Sequence, residues 1–191
     1  MLAVNKRFVY NKKIKSPASA GWDAYTWAAS HFNPRVCAPY LKVIRHGDIV
    51  QITDNIEKYG WQFQYVFDAE GDRPNFAYTI GLFESYSHPE IMVFGLRKDV
   101  MHTLLSNIAT EIKNGATFNC DTKFSGLLSE NFETMFKEMR SEWKSEYAGI
   151  ALDYYDREIP IWVLFWPDKN NVLPLENDCE LTLQAEAVSV V

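Results

Sequence analysis

The spacing of apolar residues changes period several times along the chain, and each change marks an element. Ile49, Ile52, Ile56 and Tyr59 share one face at helical spacing. Asp48, with Gln51 three residues later, fits a capping box at the start of that helix, and Gly60 fits its stop. Trp61–Phe67 alternates apolar and polar residues, the pattern of a half-buried strand. The polar run Asp68–Pro74 then turns the chain into Phe76–Leu82, whose aromatic and β-branched content predicts a second strand and hence a hairpin. Ile91–Phe94 is continuously apolar, as expected of a strand covered on both faces. Lys98–Asn114 returns to the helical period, with Val100 or Met101, Leu104, Leu105, Ile108 and Ile112 as its buried stripe and Gly115 as its end.

The later part is more mixed. Ala116–Ser129 reads as a polar, irregular connection. In Asn131–Arg140, Phe132, Met135, Phe136 and Met139 fit a helix, whereas Phe132, Thr134 and Phe136 fit a strand. Trp143–Tyr155 reads as one helix with Tyr147, Ile150, Ala151 and Tyr154 on one side, and Ile159–Phe165 as a strong strand. The tail beyond Leu175 is acidic and is expected to be partly disordered. The order mixes hairpin and crossover connections. It predicts an α+β fold with a central mostly antiparallel or mixed sheet and helices packed against it. The strand–turn–strand–helix run near the centre is analogous, at the level of fold alone, to split-barrel flavin-binding proteins.

Four short motifs stand out: Gly60-Trp61, FAYTIGL over Phe76–Leu82, SHPEIMVFGL over Ser87–Leu96, and Phe165-Trp166-Pro167-Asp168. In this order they resemble the bacterial domain-of-unknown-function family DUF4262, over about Ile49 to Leu175. The resemblance implies a small cytoplasmic α+β domain, favours a strand within Asn131–Arg140, and implies no reaction. Three segments are expected: a basic N-terminal arm over 1–47, one α+β domain over 48–176, and an acidic, apolar tail over 177–191.

Charge divides along the same line. The chain carries a net charge of −6, yet residues 1–50 hold eight Lys/Arg against two Asp/Glu, leaving eleven against twenty-three in the rest. The basic arm, with Lys6–Lys15 as its densest stretch, either docks on the acidic body or meets an anionic or protein partner. An acidic body argues against extensive nucleic-acid binding, which needs Lys and Arg at phosphates. Cys37, Cys120 and Cys179 are widely spaced and odd in number, which suggests neither a disulfide framework nor a zinc knuckle and fits a reducing cytoplasm. The charged N-terminus lacks the apolar core of a signal peptide, and no apolar run is long enough to span a bilayer.

Candidate chemistry clusters around the centre. His88 and Glu90 flank Pro89, which pushes His88 towards an extended conformation at the start of a strand. The pair could exchange protons as catalytic acid and base, or His88 could simply order the turn by donating to a backbone carbonyl. Arg73 could clamp a phosphate or carboxylate. On a strand Tyr78 and Thr79 point to opposite faces, so only one of them faces the core; Tyr78 either places its hydroxyl in a pocket or is a satisfied core tyrosine. Trp61 and Trp166 offer indoles for stacking, and Asp168 either accepts hydrogen bonds from a ligand or caps its own turn. His88, Glu84, Glu90 and His102 can ligate metals, but no spaced metal motif is present, so no metal site is assigned. Gly81 and Gly95, at strand ends, mark bulges or close backbone approaches. Nothing resembles a P-loop, GxGxxG, GxSxG or a Ser/His/Asp set.

An aromatic content of 15% together with polar residues at strand ends favours a small-molecule binding domain. The ligand expected is a nucleotide or another planar anion, sequestered or sensed. Two alternatives stand beside it. One is a small enzyme using His88 and Glu90 or a flavin, and the other a protein-interaction module, such as an immunity or anti-defence protein, working through the basic arm. The sequence identifies no cofactor.

Overall fold

A computed structural model describes residues 46–69, 71, 73–128 and 131–191. Among these residues, helix α1 (His46–Tyr59) leads into β1 (Gln62–Val66) and β2 (Phe76–Ile80), followed by the short α2 (Leu82–Tyr86), β3 (Glu90–Phe94) and the long α3 (Lys98–Lys113). Then come β4 (Lys123–Ser125), β5 (Glu133–Glu138), α4 (Ser141–Tyr147), α5 (Gly149–Tyr155), β6 (Ile161–Phe165) and α6 (Ala185–Ser189). The six strands form one sheet in the order β1-β2-β3-β6-β5-β4. Only β3 and β6 run parallel; every other neighbouring pair is antiparallel. The fold is therefore α+β with a mixed sheet, and the sheet stays open rather than closing into a barrel.

Both sheet faces are buried. On one, Ile52 and Ile56 of α1, Tyr147 of α4, Ala151 of α5 and Ala187 of α6 pack with Phe76, Tyr78, Ile80, Met92, Phe94, Val163 and Phe165. On the other, Met101, Leu104, Leu105, Ile108 and Ile112 of α3 pack with Ala77, Ile91, Val93 and Leu164. All five residues of β2 and of β3 are buried. The expectation that only one of Tyr78 and Thr79 faces a core is thus corrected: helices cover both faces, and the two residues are 1% and 0% exposed. The same two-sided cover explains the unbroken apolar run in β3.

Several elements differ from their sequence signatures. The helix α1 begins before Asp48, which lies in its first turn rather than at its cap. The polar stretch after Leu82 winds into α2 and leaves it through Ser87 in the left-handed region. The expected helix over Trp143–Tyr155 is two helices that meet at Ala148, and the connection after α3 contains β4. The segment Asn131–Arg140 contains a strand, β5, over Glu133–Glu138. The C-terminal tail is packed rather than loose: Gln184, Ala187 and Val190 are fully buried, and Val190 O accepts from Arg140 N at 2.9 Å. The arm expected over 1–47 lies, as far as residue 45, outside the described residues. Among the described residues no helix is long and apolar enough to cross a membrane.

Two glycines carry the expected close approaches. A Cβ on Gly95 would lie 2.8 Å from the carbonyl oxygen of Leu183 in the tail. Gly81 joins β2 to α2 at φ +115, and a Cβ there would sit 2.8 Å from Ile56 Cγ1 and 3.0 Å from Trp61 Cα. The Gly60-Trp61 and FAYTIGL motifs therefore touch at a point with no room for a side chain. Gly81→Ala combines backbone strain with overlap against backbone atoms, and each costs about 1–3 kcal/mol. We expect a loss of about 3 kcal/mol in denaturant unfolding; a loss below about 1 kcal/mol would show that the contact yields easily.

Candidate functional site

Glu90 opens β3 with its carboxylate in the gap where β2 and β3 part. The carboxylate is 0% exposed and collects four donors. Oε2 accepts from the Thr79 hydroxyl at 2.5 Å, and Oε1 accepts from Gly81 N–H at 2.8 Å, Phe83 N–H at 3.1 Å and the Tyr155 hydroxyl at 2.6 Å. Thr79 Oγ1 accepts in turn from Ile91 N–H at 2.9 Å, and Tyr155 Oη from Gly81 N–H at 2.9 Å. A side-chain relay thus links the strand ends where they part. Burial pushes the Glu90 carboxyl above the usual carboxylate range, and the four donors only partly offset it.

His88 belongs to a different environment. Its Nδ1 lies 2.7 Å from Pro89 O, and its ring meets Trp162 and Phe118 edge-on at 5.1 and 6.1 Å. Those rings flank the α3 face of the sheet, whereas Glu90's partner Tyr155 flanks the opposite one. With the proton on Nδ1 donated to Pro89, Nε2 is a buried acceptor with no partner among the described residues. Burial lowers the pKa of the imidazole, which keeps it neutral. Among the described residues no hydrogen bond joins His88 to Glu90, so the structure does not bring the two into one proton-transfer pair.

The other candidates are dispersed. Arg73 is ion-paired with Glu146 at 2.9 Å and Glu186 at 3.6 Å, tying the β1–β2 turn to α4 and α6. Trp166 donates its indole N–H to Phe94 O at 2.9 Å, and its backbone is bracketed by the Gln184 amide. Asp168 is 4% exposed and closes its own turn by accepting from Val172 N–H at 2.9 Å and Asn170 N–H at 2.8 Å, donors that hold its carboxyl below the usual range. Tyr78 and Thr79 are buried in the sheet. Among the described residues no group of three or more His, Cys, Asp or Glu is placed to hold a metal.

Trp61 borders a cleft rich in aromatic and amide groups, whereas Arg73 and Asp168 line cavities elsewhere. At the β1 end of the sheet, a cavity of about 340 Å³ is lined by Asn55, Tyr59, Trp61, Gln62, Phe63 and His102. Asn55 and Tyr59 lie one turn apart on α1, Trp61 to Phe63 follow Gly60 into β1, and His102 comes from α3. Phe63 and His102 meet edge-on at 4.9 Å. Asn55 Nδ2 donates to Gln62 Oε1 at 2.6 Å, and Gln62 Nε2 donates to Phe63 O at 2.9 Å. The site sets aromatic walls beside two fixed amides, which can exchange hydrogen bonds with the edge of a planar heterocycle.

The family described as "Domain of unknown function (DUF4262)" matches residues 55–180. The chain belongs to this family. No curated protein and no solved structure matches it. In this DUF4262 domain the motifs turn out to be neighbours. Glu90 of the HPE turn holds Thr79 and Gly81 of FAYTIGL, Gly81 makes room for Gly60-Trp61, and the Trp166 indole is bonded to the end of β3. Sequence reasoning missed Tyr155, whose hydroxyl completes the Glu90 cluster from a helix 65 residues away, and nothing in the local pattern signals it. It also missed Asn55, Tyr59, Gln62 and Phe63 as a cleft. Tyr59, which helical spacing groups with Ile52 and Ile56, is instead 55% exposed, and its four-residue spacing from Asn55 was the available signal.

Glu90 gives a pH-dependent signature. Its folded pKa lies above the ordinary value of 4.5, so the folded state holds the proton more tightly than the unfolded chain. Its contribution to stability is complete below pH 4.5 and is lost as pH rises through the folded pKa. Glu90→Gln cannot ionise, so the stability of the natural protein relative to this variant should fall as pH rises above 4.5 and through the raised folded pKa. Parallel stability–pH curves in urea titrations would contradict the buried-acid assignment.

Proposed function

We propose that this domain binds a planar, polar small molecule of nucleobase type in the cleft at the β1 edge, and that it sequesters or senses the ligand. One observation carries the reading: Tyr59, Trp61, Phe63 and His102 line the same 340 Å³ space as the mutually bonded amides of Asn55 and Gln62. Ring walls supply stacking for any flat heterocycle, and fixed amides supply directional hydrogen bonds. Arg73 is not the anchor for the ligand, because Glu146 and Glu186 already hold it. The separation of His88 from Glu90 favours binding over acid–base catalysis.

A panel of nucleobases, nucleosides and nucleotides should yield at least one compound that raises Tm and quenches tryptophan fluorescence. Stacking contributes about 1–3 kcal/mol per base, so Trp61→Ala should weaken binding of that compound by about tenfold or more. Tyr59, 55% exposed, should tolerate Tyr59→Ala without loss of folding while also losing affinity. No shift across the panel at millimolar concentration, or undiminished binding by Trp61→Ala, would remove the proposal.

A further inference from the structure

Tyr59 stands between two clefts of opposite chemistry. One is the aromatic cleft just described. The other, about 520 Å³, also has Tyr59 in its wall and carries the hydroxyls of Thr53, Ser85 and Tyr154 and the carboxylates of Glu57 and Glu84. Tyr154 donates to Glu84 Oε2 at 2.8 Å, which fixes that carboxylate and leaves its remaining lone pairs for another donor. Ile56, Gly60, Tyr86, Lys58 and Lys113 complete the lining, with the Lys58 ammonium 4.8 Å from the centre of the Tyr59 ring.

The two lysines do not make this an anion site. They lie in the last turns of α1 and α3, whose C-terminal ends therefore border the same cleft. A helix C-terminus carries negative partial charge. Together with Glu57 and Glu84, it offsets the two ammonium groups. What remains is a cleft dense in both acceptors and donors, without a net positive field, beside an exposed phenol ring. A neutral, hydroxyl-bearing ring matches that chemistry: its hydroxyls donate to carboxylates and accept from lysine.

We propose that this second cleft binds the pentose of a nucleoside whose base occupies the aromatic cleft, so that the ligand straddles Tyr59. This rests on the base-binding reading above and adds that the ligand is a nucleoside rather than a free base or a nucleotide anchored by its phosphate.

Calorimetric titration of the full chain with matched sets of base, nucleoside and nucleoside 5′-monophosphate tests it. Two added hydroxyl contacts should make the nucleoside about tenfold tighter than its base, with no further gain from the phosphate. Glu84→Gln and Tyr154→Phe should weaken the nucleoside several-fold and leave the base unchanged. Glu84 is exposed, so its variant reports on binding rather than folding. Equal affinity for base and nucleoside would overturn the pentose assignment while base binding stands. Tighter binding of the monophosphate, lost in Lys58→Gln or Lys113→Gln, would overturn it in favour of an anion. Absence of binding by all three would remove both readings.

Discussion

The buried carboxylate of Glu90 is the constraint on which the centre of this fold depends. A charge-capable group at the start of a fully buried strand would be costly if left alone. Here two hydroxyls and two backbone amides surround it. The arrangement works in both directions. The carboxylate needs those donors, and the first residues of α2 need an acceptor, because the opening turn of a helix leaves N–H groups unpaired. Glu90 supplies one to Phe83 in a helix without a side-chain cap of its own. Removing the carboxylate would orphan groups on β2, α2 and α5 together.

From that point the rest of the architecture can be followed outward. Gly81, held by Glu90, permits the contact with Ile56 and Trp61. That contact seats the end of α1 and the start of β1. The seating brings Asn55, Tyr59 and Trp61 to one edge of the sheet, where His102 arrives from α3. The cleft thus lies on the surface, but the residues that set its geometry are in the interior. Gln62 and Gln64 add a further local effect: each donates its amide to the carbonyl of the following residue, at 2.9 and 3.5 Å, covering backbone acceptors of this sheet-edge strand.

Most of the fold was legible in periodicity because its main helices and strands are amphipathic or two-sided in ordinary ways. The stripe Met101–Leu104–Leu105–Ile108–Ile112 and the run Ile91–Phe94 each allow one reading once length is considered. The misread parts have causes of their own. Gly149, directly after Ala148, is the local signal that divides Trp143–Tyr155, but the helical spacing of Tyr147 and Ala151, both in the same core, masks it. Glu186 lies in a segment whose charge suggests solvent, yet it neighbours Arg73 and Tyr147 while Ala187 and Val190 are in the core. The candidate site was legible in part for the same reason. Trp61 follows a helix stop and could be singled out, whereas Phe63 and His102 become neighbours only when α3 crosses β1.

The parallel pairing of β3 with β6 has a consequence for the order in which this molecule can be assembled. The last strand in the chain is not at an edge; it lies between β3 and β5, joining the β1–β3 half of the sheet to the β4–β5 half. During synthesis from the N-terminus, Ile91–Phe94 must therefore wait, with one side unpaired, until residues near Phe165 emerge. An apolar strand with an open side is the kind of surface on which chains join one another. A strand fully buried when folded is thus left with an open side while nascent, and its pairing waits on a segment some seventy residues downstream.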